Sequence, residues 1–270
     1  MTNKYTLLVN SSDGFEDCWA PFFTLMARNW PDYRGPIVLN TESKKWSRPG
    51  FDIRCSQVQH TRPGRRLTWS ECLLAALDQI ETPLVLYFHE DYFLERPVDE
   101  RLIDEFATLM LNNDSIRHIG LTHFGSLGPF EPTEDARLLR IARKARYRIS
   151  TQVGLWRVDA LKSYLRPEEN AWMFEIFGTR RAQRRPDTFL TVNPNIYRPG
   201  ATPIVQYTHT GIIKGKWHPA MPALFAANGI QVEFSKRGFF QPKPRVLEKL
   251  VTLRKLIAHP LLLSKALLGL

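Results

Sequence analysis

Residues 83–94 read PLVLYFHEDYFL, an apolar run that ends abruptly in His89, Glu90 and Asp91. The length and composition of the run predict a buried strand. Ionised carboxylates are costly to bury unless they are paired or bind a metal. Open α/β sheets bind their ligands at the carboxyl ends of strands, and oxygen ligands at such a place favour Mg²⁺ or Mn²⁺, which favour a diphosphate. The alternative is that Glu90 and Asp91 only cap the strand and face solvent.

Strands and helices alternate in the elements expected around these acids. Residues 5–9 and 36–39 predict two strands, and residues 17–29 predict the helix between them. This order favours a parallel pair joined by a right-handed crossover. Thr68 and Glu71 form a capping box, which starts the helix before the acid-tipped strand. The sequence therefore predicts the α/β class, a Rossmann-type mixed sheet flanked by helices. Residues 137–148 are predicted as a basic helix or loop.

Composition narrows the class of protein and its partners. The 270 residues carry a net charge of +10 and are 43% hydrophobic, which can supply a core and predicts anionic partners. The three cysteines (Cys18, Cys55 and Cys72) indicate neither a disulfide framework nor a zinc site, which fits a reducing, cytosolic compartment. Neither a signal peptide nor a transmembrane helix is expected.

These features together resemble the nucleotide-binding half of GT-A glycosyltransferases, in particular bacterial members that build capsule or O-antigen polysaccharides. The matching residues are LVNSSD at 8–13, Trp19, HEDYF at 89–93 and GIIKGKW at 211–217. The resemblance covers residues 5–220 and rests on no single invariant motif. It implies a GT-A-like domain over residues 1–235, followed by a basic amphipathic segment over residues 236–270.

The resemblance implies roles for two groups of residues. Ser11, Ser12 and Asp13 would contact the base or ribose of a nucleotide, and Asp91 would be the last acid of the family's D-x-D metal motif. His89 stands where the family has the first Asp, so metal dependence stays open. Either His89 ligates Mn²⁺ or Mg²⁺, or Asp91 acts nearly alone, or lysine and arginine replace the metal.

Sugar transfer leaves developing negative charge on a diphosphate, which a divalent ion or nearby cations must stabilise. Lys214 and Lys216 are candidates for this role, and a solvated basic loop is their alternative. His209 is a candidate third metal ligand, with a structural histidine as the alternative. Arg65 is a candidate phosphate contact, with an ordinary surface charge as the alternative.

An inverting transfer also needs a general base for the acceptor hydroxyl. Glu175 is the first candidate and Glu169 the second, although Glu169 also fits an acid at a helix N-terminus. Trp172 shares a helix face with Glu175 at i,i+3 and would stack on the acceptor sugar. In a retaining enzyme no such base is required, and Gln152 would then line the sugar pocket.

Beyond residue 236 the chain is basic and amphipathic, and its end is rich in leucine. This pattern favours an interfacial membrane anchor, with a C-terminal helix packed on the domain as the alternative. An anchor at an anionic membrane surface would suit a lipid-linked acceptor.

The sequence and the resemblance predict a cytoplasmic glycosyltransferase, peripheral on the inner face of the cytoplasmic membrane. It would move a sugar from a nucleotide-sugar, UDP-linked by default, to a glycan acceptor in surface polysaccharide synthesis. One alternative is a nucleic-acid-binding protein, but no RNP, zinc-finger or helix-turn-helix signature accompanies the charge, and no nucleic-acid partner is expected. The other is a metal-dependent phosphohydrolase, but the sequence lacks the clustered Asp and His of two-metal sites.

Overall fold

The computed structural model describes residues 3–61, 64–198 and 202–242, together with Ser264. The strands are β1 (Tyr5–Asn10), β2 (Ile37–Leu39), β3 (Ile53–Cys55), β4 (Leu84–His89), β5 (Ile116–Gly120), β6 (Phe130–Pro132), β7 (Leu138–Ile141), β8 (Gly154–Arg157), β9 (Thr188–Val192), β10 (Ile212–Ile213) and β11 (Lys216–Trp217). The helices are α1 (Glu16–Asn29), α2 (Trp69–Leu77), α3 (Glu100–Asn112), α4 (Val158–Tyr164), α5 (Ala171–Met173), α6 (Thr179–Arg184) and α7 (Met221–Ala227). A π-helical turn (Phe174–Gly178) joins α5 to α6.

Nine strands form one mixed sheet in the order β3-β2-β1-β4-β8-β5-β9-β7-β6. Strands β1 to β4 are mutually parallel, β8 runs antiparallel to both of its neighbours, and β9 is parallel to β5. Strand β7 is antiparallel to β9, and β6 is antiparallel to β7. The prediction of a mixed α/β sheet flanked by helices is confirmed.

The centre of the sheet is covered on both faces, which explains why β1 and β4 are buried over nearly their whole length and carry near-continuous apolar runs rather than an alternating pattern. Leu7 and Phe88 pack with Phe22 of α1 on one face. Leu8 of β1 packs with Leu73 of α2 on the other face. The predicted capping box starts α2, since the Thr68 hydroxyl accepts from the Glu71 N–H and the Glu71 carboxylate accepts from the Thr68 N–H.

The basic stretch 137–148 is not a helix, and it is only partly a loop, because it contains strand β7. Leu138 and Ile141 are buried, whereas Arg140 is exposed. Pairing with β6 and β9 holds residues 138–141 extended, with Arg140 exposed to solvent. The charge of the arginines predicts a solvent-exposed helix or loop, although the apolar residues among them form a short strand.

The last described segment packs back onto the domain. Phe240 donates its N–H to the Trp217 carbonyl at 2.9 Å. Arg237 forms an ion pair with Asp17 of α1 and lies over the ring of Phe15. The packed chain therefore continues past the predicted boundary at residue 235, and residues 243–270 apart from Ser264 lie outside the described residues. No helix in the described part of the chain is long and apolar enough to cross a membrane.

Candidate active site

The site lies at the topological switch point, where the order in which successive strands are added to the sheet reverses. From β1 the chain crosses through α1 to β2 on one side, whereas from β3 it crosses through α2 to β4 on the other side of β1. A crevice therefore opens outside the carboxyl ends of β1 and β4, the position where open α/β sheets bind ligands. The structure brings the predicted residues after β1 (Ser11, Ser12 and Asp13) beside His89 and Asp91.

Asp13 shapes the β1 side of this crevice. Its carboxylate accepts hydrogen bonds from the Ser43 hydroxyl at 2.6 Å and from the backbone N–H groups of Glu42 and Ser43 at 2.9 and 3.0 Å. Partial burial disfavours its charge, but these hydrogen bonds outweigh that effect and lower the pKa of Asp13. Asp13 thus holds the loop after β1 against the loop after β2, which occupies the oxygens predicted to contact a nucleotide.

Ser11 is fixed by the indole of Trp19, whose Nε1–H donates to the Ser11 hydroxyl at 2.8 Å. Ser12 precedes the 3₁₀ turn Asp13–Phe15 in extended backbone, and its hydroxyl makes no capping hydrogen bond there. Both serines are only partly buried at the rim of the crevice. Trp19 therefore supports the site through Ser11, a role that neither its helical spacing nor the resemblance indicates.

A buried chain of side-chain hydrogen bonds crosses the strand ends and reaches His89. The side-chain amide of Asn40 donates to Asn10 Oδ1 at 2.8 Å, and Asn10 Nδ2 donates to the Tyr87 hydroxyl at 2.9 Å. The Tyr87 hydroxyl lies 3.0 Å from His89 Nε2. The Tyr87 oxygen can accept from Nε2–H as well as from Asn10, and that tautomer leaves the lone pair of His89 on Nδ1. Sequence reasoning missed this chain because each member lies on a different strand or faces inward.

Nδ1 of His89 faces the neighbouring carboxylate, Glu90 Oε2, at 3.8 Å. Burial opposes protonation of His89, but Glu90, Asp91 and Glu175 outweigh it and hold the pKa of His89 above its usual value. Burial also raises the pKa of Glu90, and His89 offsets this only in part. The surroundings of His89 and Glu90 therefore favour an added positive charge, which a proton or a bound cation would supply.

Asp91 anchors the returning chain to the end of β4. Its Oδ2 accepts from the Thr210 hydroxyl and, at 2.9 Å, from the Ile212 N–H. Its carbonyl accepts from the Gly211 N–H at 2.9 Å. A Cβ at Gly211 would stand 2.3 Å from the Phe93 ring, so only glycine permits this close approach. The structure leaves Asp91 Oδ1 without a recorded hydrogen bond from the described residues.

Glu175 reaches the same crevice from the other half of the sheet. It lies in the π-helical turn Phe174–Gly178, a distortion that frequently marks functional sites. Its Oε1 accepts from the Thr151 N–H at 2.8 Å and from the Thr151 hydroxyl at 3.0 Å. The Thr151 carbonyl accepts in turn from the Tyr92 hydroxyl at 3.2 Å, and the Tyr92 ring lies 5.3 Å from that of His89, which connects Glu175 to the end of β4.

Gln152 is held in a cluster of tyrosines on this side of the crevice. Its Nε2 donates to the Tyr92 hydroxyl at 3.0 Å, and its Oε1 accepts from the Tyr207 hydroxyl at 2.8 Å. The two tyrosine rings stack with centroids 4.7 Å apart. Gln152 therefore has both polar ends engaged, and the cluster joins β4, the segment before β8 and the returning chain.

Glu169 does not reach the crevice. It is 2% exposed, and both of its oxygens accept from the guanidinium of Arg181, at 2.7 and 2.5 Å. An oxygen held this way cannot take a proton from an acceptor hydroxyl, so Glu169 is not carried into the proposed mechanism. Trp172 is partly buried one turn before Glu175, beside Met173 and Phe177.

The remaining predicted cations and His209 lie at the surface. Lys214 and Gly215 form the tip of the hairpin between β10 and β11, both with positive φ. Lys214 lies over the Phe240 ring, and Lys216 is exposed. His209 is exposed against Phe124.

Two of these surface residues make side-chain contacts with other partners. Arg65 forms a bidentate ion pair with Glu71 of α2, which engages its guanidinium. His209 packs on Phe124 next to His123, and its charge contributes, after burial, to the lowered pKa of His123. Neither contact was foreseeable from sequence spacing.

Whether the β4 residues fit a divalent cation depends on their donor atoms. Among residues 3–61, 64–198 and 202–242, no cluster of three His, Cys, Asp or Glu side chains is arranged to hold a metal ion. Glu90 Oε2 is nevertheless buried without a hydrogen-bond partner in the described part of the chain. Mg²⁺ is commonly held by one or two carboxylates plus substrate phosphates. An unpartnered buried carboxylate oxygen beside an imidazole nitrogen fits an ion held in that way.

Comparisons with known proteins find similarity in solved structures alone. No protein-family model matches the chain, and no curated protein matches it. A crystal structure of residues 1–349 of S. aureus TarS in complex with UDP has 15% identity and a TM-score of 0.46, over 71% of this chain and 61% of that one. The same part of TarS with UDP-GlcNAc has 11% identity and a TM-score of 0.45, over 87% and 69%. Mannosyl-3-phosphoglycerate synthase from Rubrobacter xylanophilus has 15% identity and a TM-score of 0.29, over 43% and 39%. The chain thus spans about three fifths of the first TarS structure.

Proposed function

We propose that this protein is a nucleotide-sugar-dependent glycosyltransferase of the GT-A type. One observation carries the proposal. The acid-tipped strand β4 and the polar loop after β1 meet at the topological switch point of the sheet, and Glu175 is connected to that strand end through Thr151 and Tyr92. Donor and acceptor groups would meet in this crevice, as transfer between two bound substrates requires.

The loop after β1 would bind the nucleotide. Ser11 and Ser12 stand at the rim, where their hydroxyls can reach a ribose or base. Asp13 would act indirectly, because its carboxylate is occupied in fixing the loop after β2. The donor is taken to be a UDP-sugar from the sequence resemblance.

The diphosphate would lie at the end of β4. Mn²⁺ or Mg²⁺ held by one or two of the side chains of His89, Glu90 and Asp91, together with the phosphates of the donor, would neutralise the charge that develops on the leaving diphosphate. Tyr87 would hold the His89 ring in place through its hydrogen bond to Nε2. Lys214 and Lys216, at the hairpin tip, are candidates for further phosphate contacts, whereas the ion pairing of Arg65 with Glu71 makes it a weaker one.

Glu175 would act as the general base of an inverting transfer. Hydrogen bonds from the backbone N–H and the hydroxyl of Thr151 orient its Oε1. Its Oε2 would then accept the proton of the acceptor hydroxyl as that oxygen attacks the anomeric carbon. Trp172, one turn earlier, would stack on the apolar face of the acceptor sugar, and Gln152 would position the tyrosines that border it.

The acceptor would be a glycan, lipid-linked, in bacterial surface polysaccharide synthesis. The protein would work in the cytoplasm at the inner face of the membrane, with its basic segment on anionic lipid. The basic composition of residues 236–270 supports this placement.

Two carboxylate-to-amide variants test these roles. Asp91→Asn keeps the shape that anchors Thr210, whereas alanine would also release the returning chain. Both Asp91→Asn and Glu175→Gln should lower kcat by at least about a hundredfold, since general acid–base and charge-stabilising groups each contribute that much. The matched control is Glu81→Gln, an exposed residue before β4 at the opposite edge of the sheet. Variants that turn over nucleotide-sugar like the control would refute the assigned roles.

A further inference from the structure

A basic cleft of about 480 Å³ lies beside the outer strands β6 and β7, and the roles assigned above do not use it. Four of the residues that line it are cations: Arg140, Arg143, Lys144 and Arg148. Two acids, Glu131 and Asp187, also line it. These four cations belong to the basic stretch 137–148, to which the proposed glycosyltransferase function assigns no role.

Arg148 forms the floor of the cleft and is 3% exposed. Its Nη1 and Nη2 donate to the carbonyl oxygens of Ile141 and Asp187, each at 2.5 Å, and its guanidinium lies over the Phe189 ring. Its Nε is buried without a partner among the described residues. Both recorded acceptors are neutral carbonyls, so no direct carboxylate contact compensates this buried charge.

The nearby acids do not supply the missing contact. Asp187 directs its carboxylate to the Tyr164 hydroxyl and towards Arg117, which is 3.5 Å away. Glu131 is an exposed residue of β6. A buried charge usually has a hydrogen-bonded counter-ion, and an external oxyanion entering the cleft would provide it.

The cations at the mouth of the cleft are available to such an anion. Arg140, Arg143 and Lys144 are exposed, and no ion pair is recorded for them within the described residues. The recorded side-chain contact of Arg143 is a hydrogen bond to the Gln183 carbonyl at 3.1 Å. Three outer cations above one buried guanidinium suit a tetrahedral oxyanion that is bound from several sides.

We propose that this cleft binds a phosphate group carried by the acceptor, an inference that rests on the glycosyltransferase function proposed above. The chain itself links the two sites. Arg148 is followed by Ser150 and Thr151, which hold Glu175, and by Gln152. Three residues span at most about 11 Å between Cα atoms, so one short segment carries both the floor of the cleft and the residues that hold the acceptor base.

The shape of the cleft favours a single anionic group over a nucleic-acid backbone. A nucleic acid would need a continuous basic track with aromatic side chains for its bases. Here the charge converges on one buried guanidinium at the floor of the cleft. A phosphate on a sugar or on a polyol satisfies that geometry.

The test titrates inorganic phosphate into the full chain saturated with UDP, so that the donor site is already filled. The double variant Arg143→Gln/Lys144→Gln should bind phosphate about three- to tenfold more weakly, as the loss of two exposed charge contacts predicts. The matched control is Arg146→Gln, which removes a charge from an exposed residue of the same loop that does not line the cleft. Arg148→Lys, which keeps the charge but loses the planar fork, should weaken binding further.

A second arm distinguishes an acceptor phosphate from free phosphate. The same sugar acceptor is supplied with and without a phosphate group, and the double variant should raise KM for the phosphorylated acceptor only. Equal phosphate affinity in the double variant and the Arg146→Gln control would overturn the proposal. So would RNA displacing phosphate from the wild type but not from the double variant. The titration needs no turnover, so the phosphate site can fail while the glycosyltransferase function stands, and the reverse.

Discussion

His118 gives a quantitative test of the core beneath the site. It is 4% exposed, and its ring lies 4.2 Å from that of Trp156. Neither ring nitrogen has a hydrogen-bond partner in the described structure. A Cβ on Gly154 would stand 2.6 Å from His118 Nε2, so glycine makes room for the imidazole. Burial without a partner lowers the pKa of His118 from 6.5 to about 3.

This pKa fixes both the sign and the size of a pH effect on stability. Above pH 6.5 the histidine is neutral in the folded and the unfolded chain and contributes nothing. Below pH 6.5 only the unfolded chain binds the proton, so stability falls as the pH falls towards 3. At pH 5 the loss is about 2 kcal/mol, because 1.5 units at 1.36 kcal/mol each separate that pH from the unfolded pKa.

Urea denaturation at pH 7.5 and pH 5 measures the effect in wild type and in His118→Leu. The leucine is apolar and similar in volume, and it cannot titrate. Whatever its effect at pH 7.5, the variant should lose about 2 kcal/mol less than the wild type on going to pH 5. The matched control is His60→Gln at an exposed histidine, which should follow the wild type. Equal losses in wild type and His118→Leu would refute the reasoning.

Three further outcomes follow from the same contacts. Glu169→Gln should lower the free energy of unfolding by about 3–5 kcal/mol, since it leaves the Arg181 guanidinium buried and unpaired; a melting temperature like that of the wild type would contradict the buried ion pair. Gly211→Ala should cost about 1–3 kcal/mol and lower kcat, because the new methyl group must push the returning chain away from Phe93; a wild-type rate would show that this approach is unimportant. Truncation after Pro242 should reduce sedimentation with anionic vesicles, and unchanged sedimentation would show that the basic segment is not an anchor.

The sequence was sufficient to predict an element and its place in the site where the local residue pattern and the order of strands and helices agree. The apolar run of β4 and the capping box of α2 have signals within a few residues, and both lie where expected. The strand–helix–strand order then places His89 and Asp91 at the switch point without any knowledge of contacts. This part of the site was predictable because sheet topology fixes which strand ends meet.

Long-range side-chain partners were not predictable in this way. Glu169 resembles a catalytic acid until Arg181, twelve residues later, is seen to hold both of its oxygens. The cluster of Gln152 with Tyr92 and Tyr207 joins residues more than fifty positions apart. Arg140 stands between the buried Leu138 and Ile141 of β7, and the basic residues around the strand conceal its apolar pattern. In each case the deciding partner is set by packing rather than by spacing.

The most direct test of the proposed function is release of nucleoside diphosphate from nucleotide-sugars. UDP-, GDP- and CDP-sugars would be incubated with the full chain, with and without Mn²⁺, alongside Asp91→Asn and Glu81→Gln. The account predicts that at least one nucleotide-sugar is turned over by the wild type and by Glu81→Gln but not by Asp91→Asn. The absence of release from any nucleotide-sugar, or release that does not depend on Asp91, would contradict it.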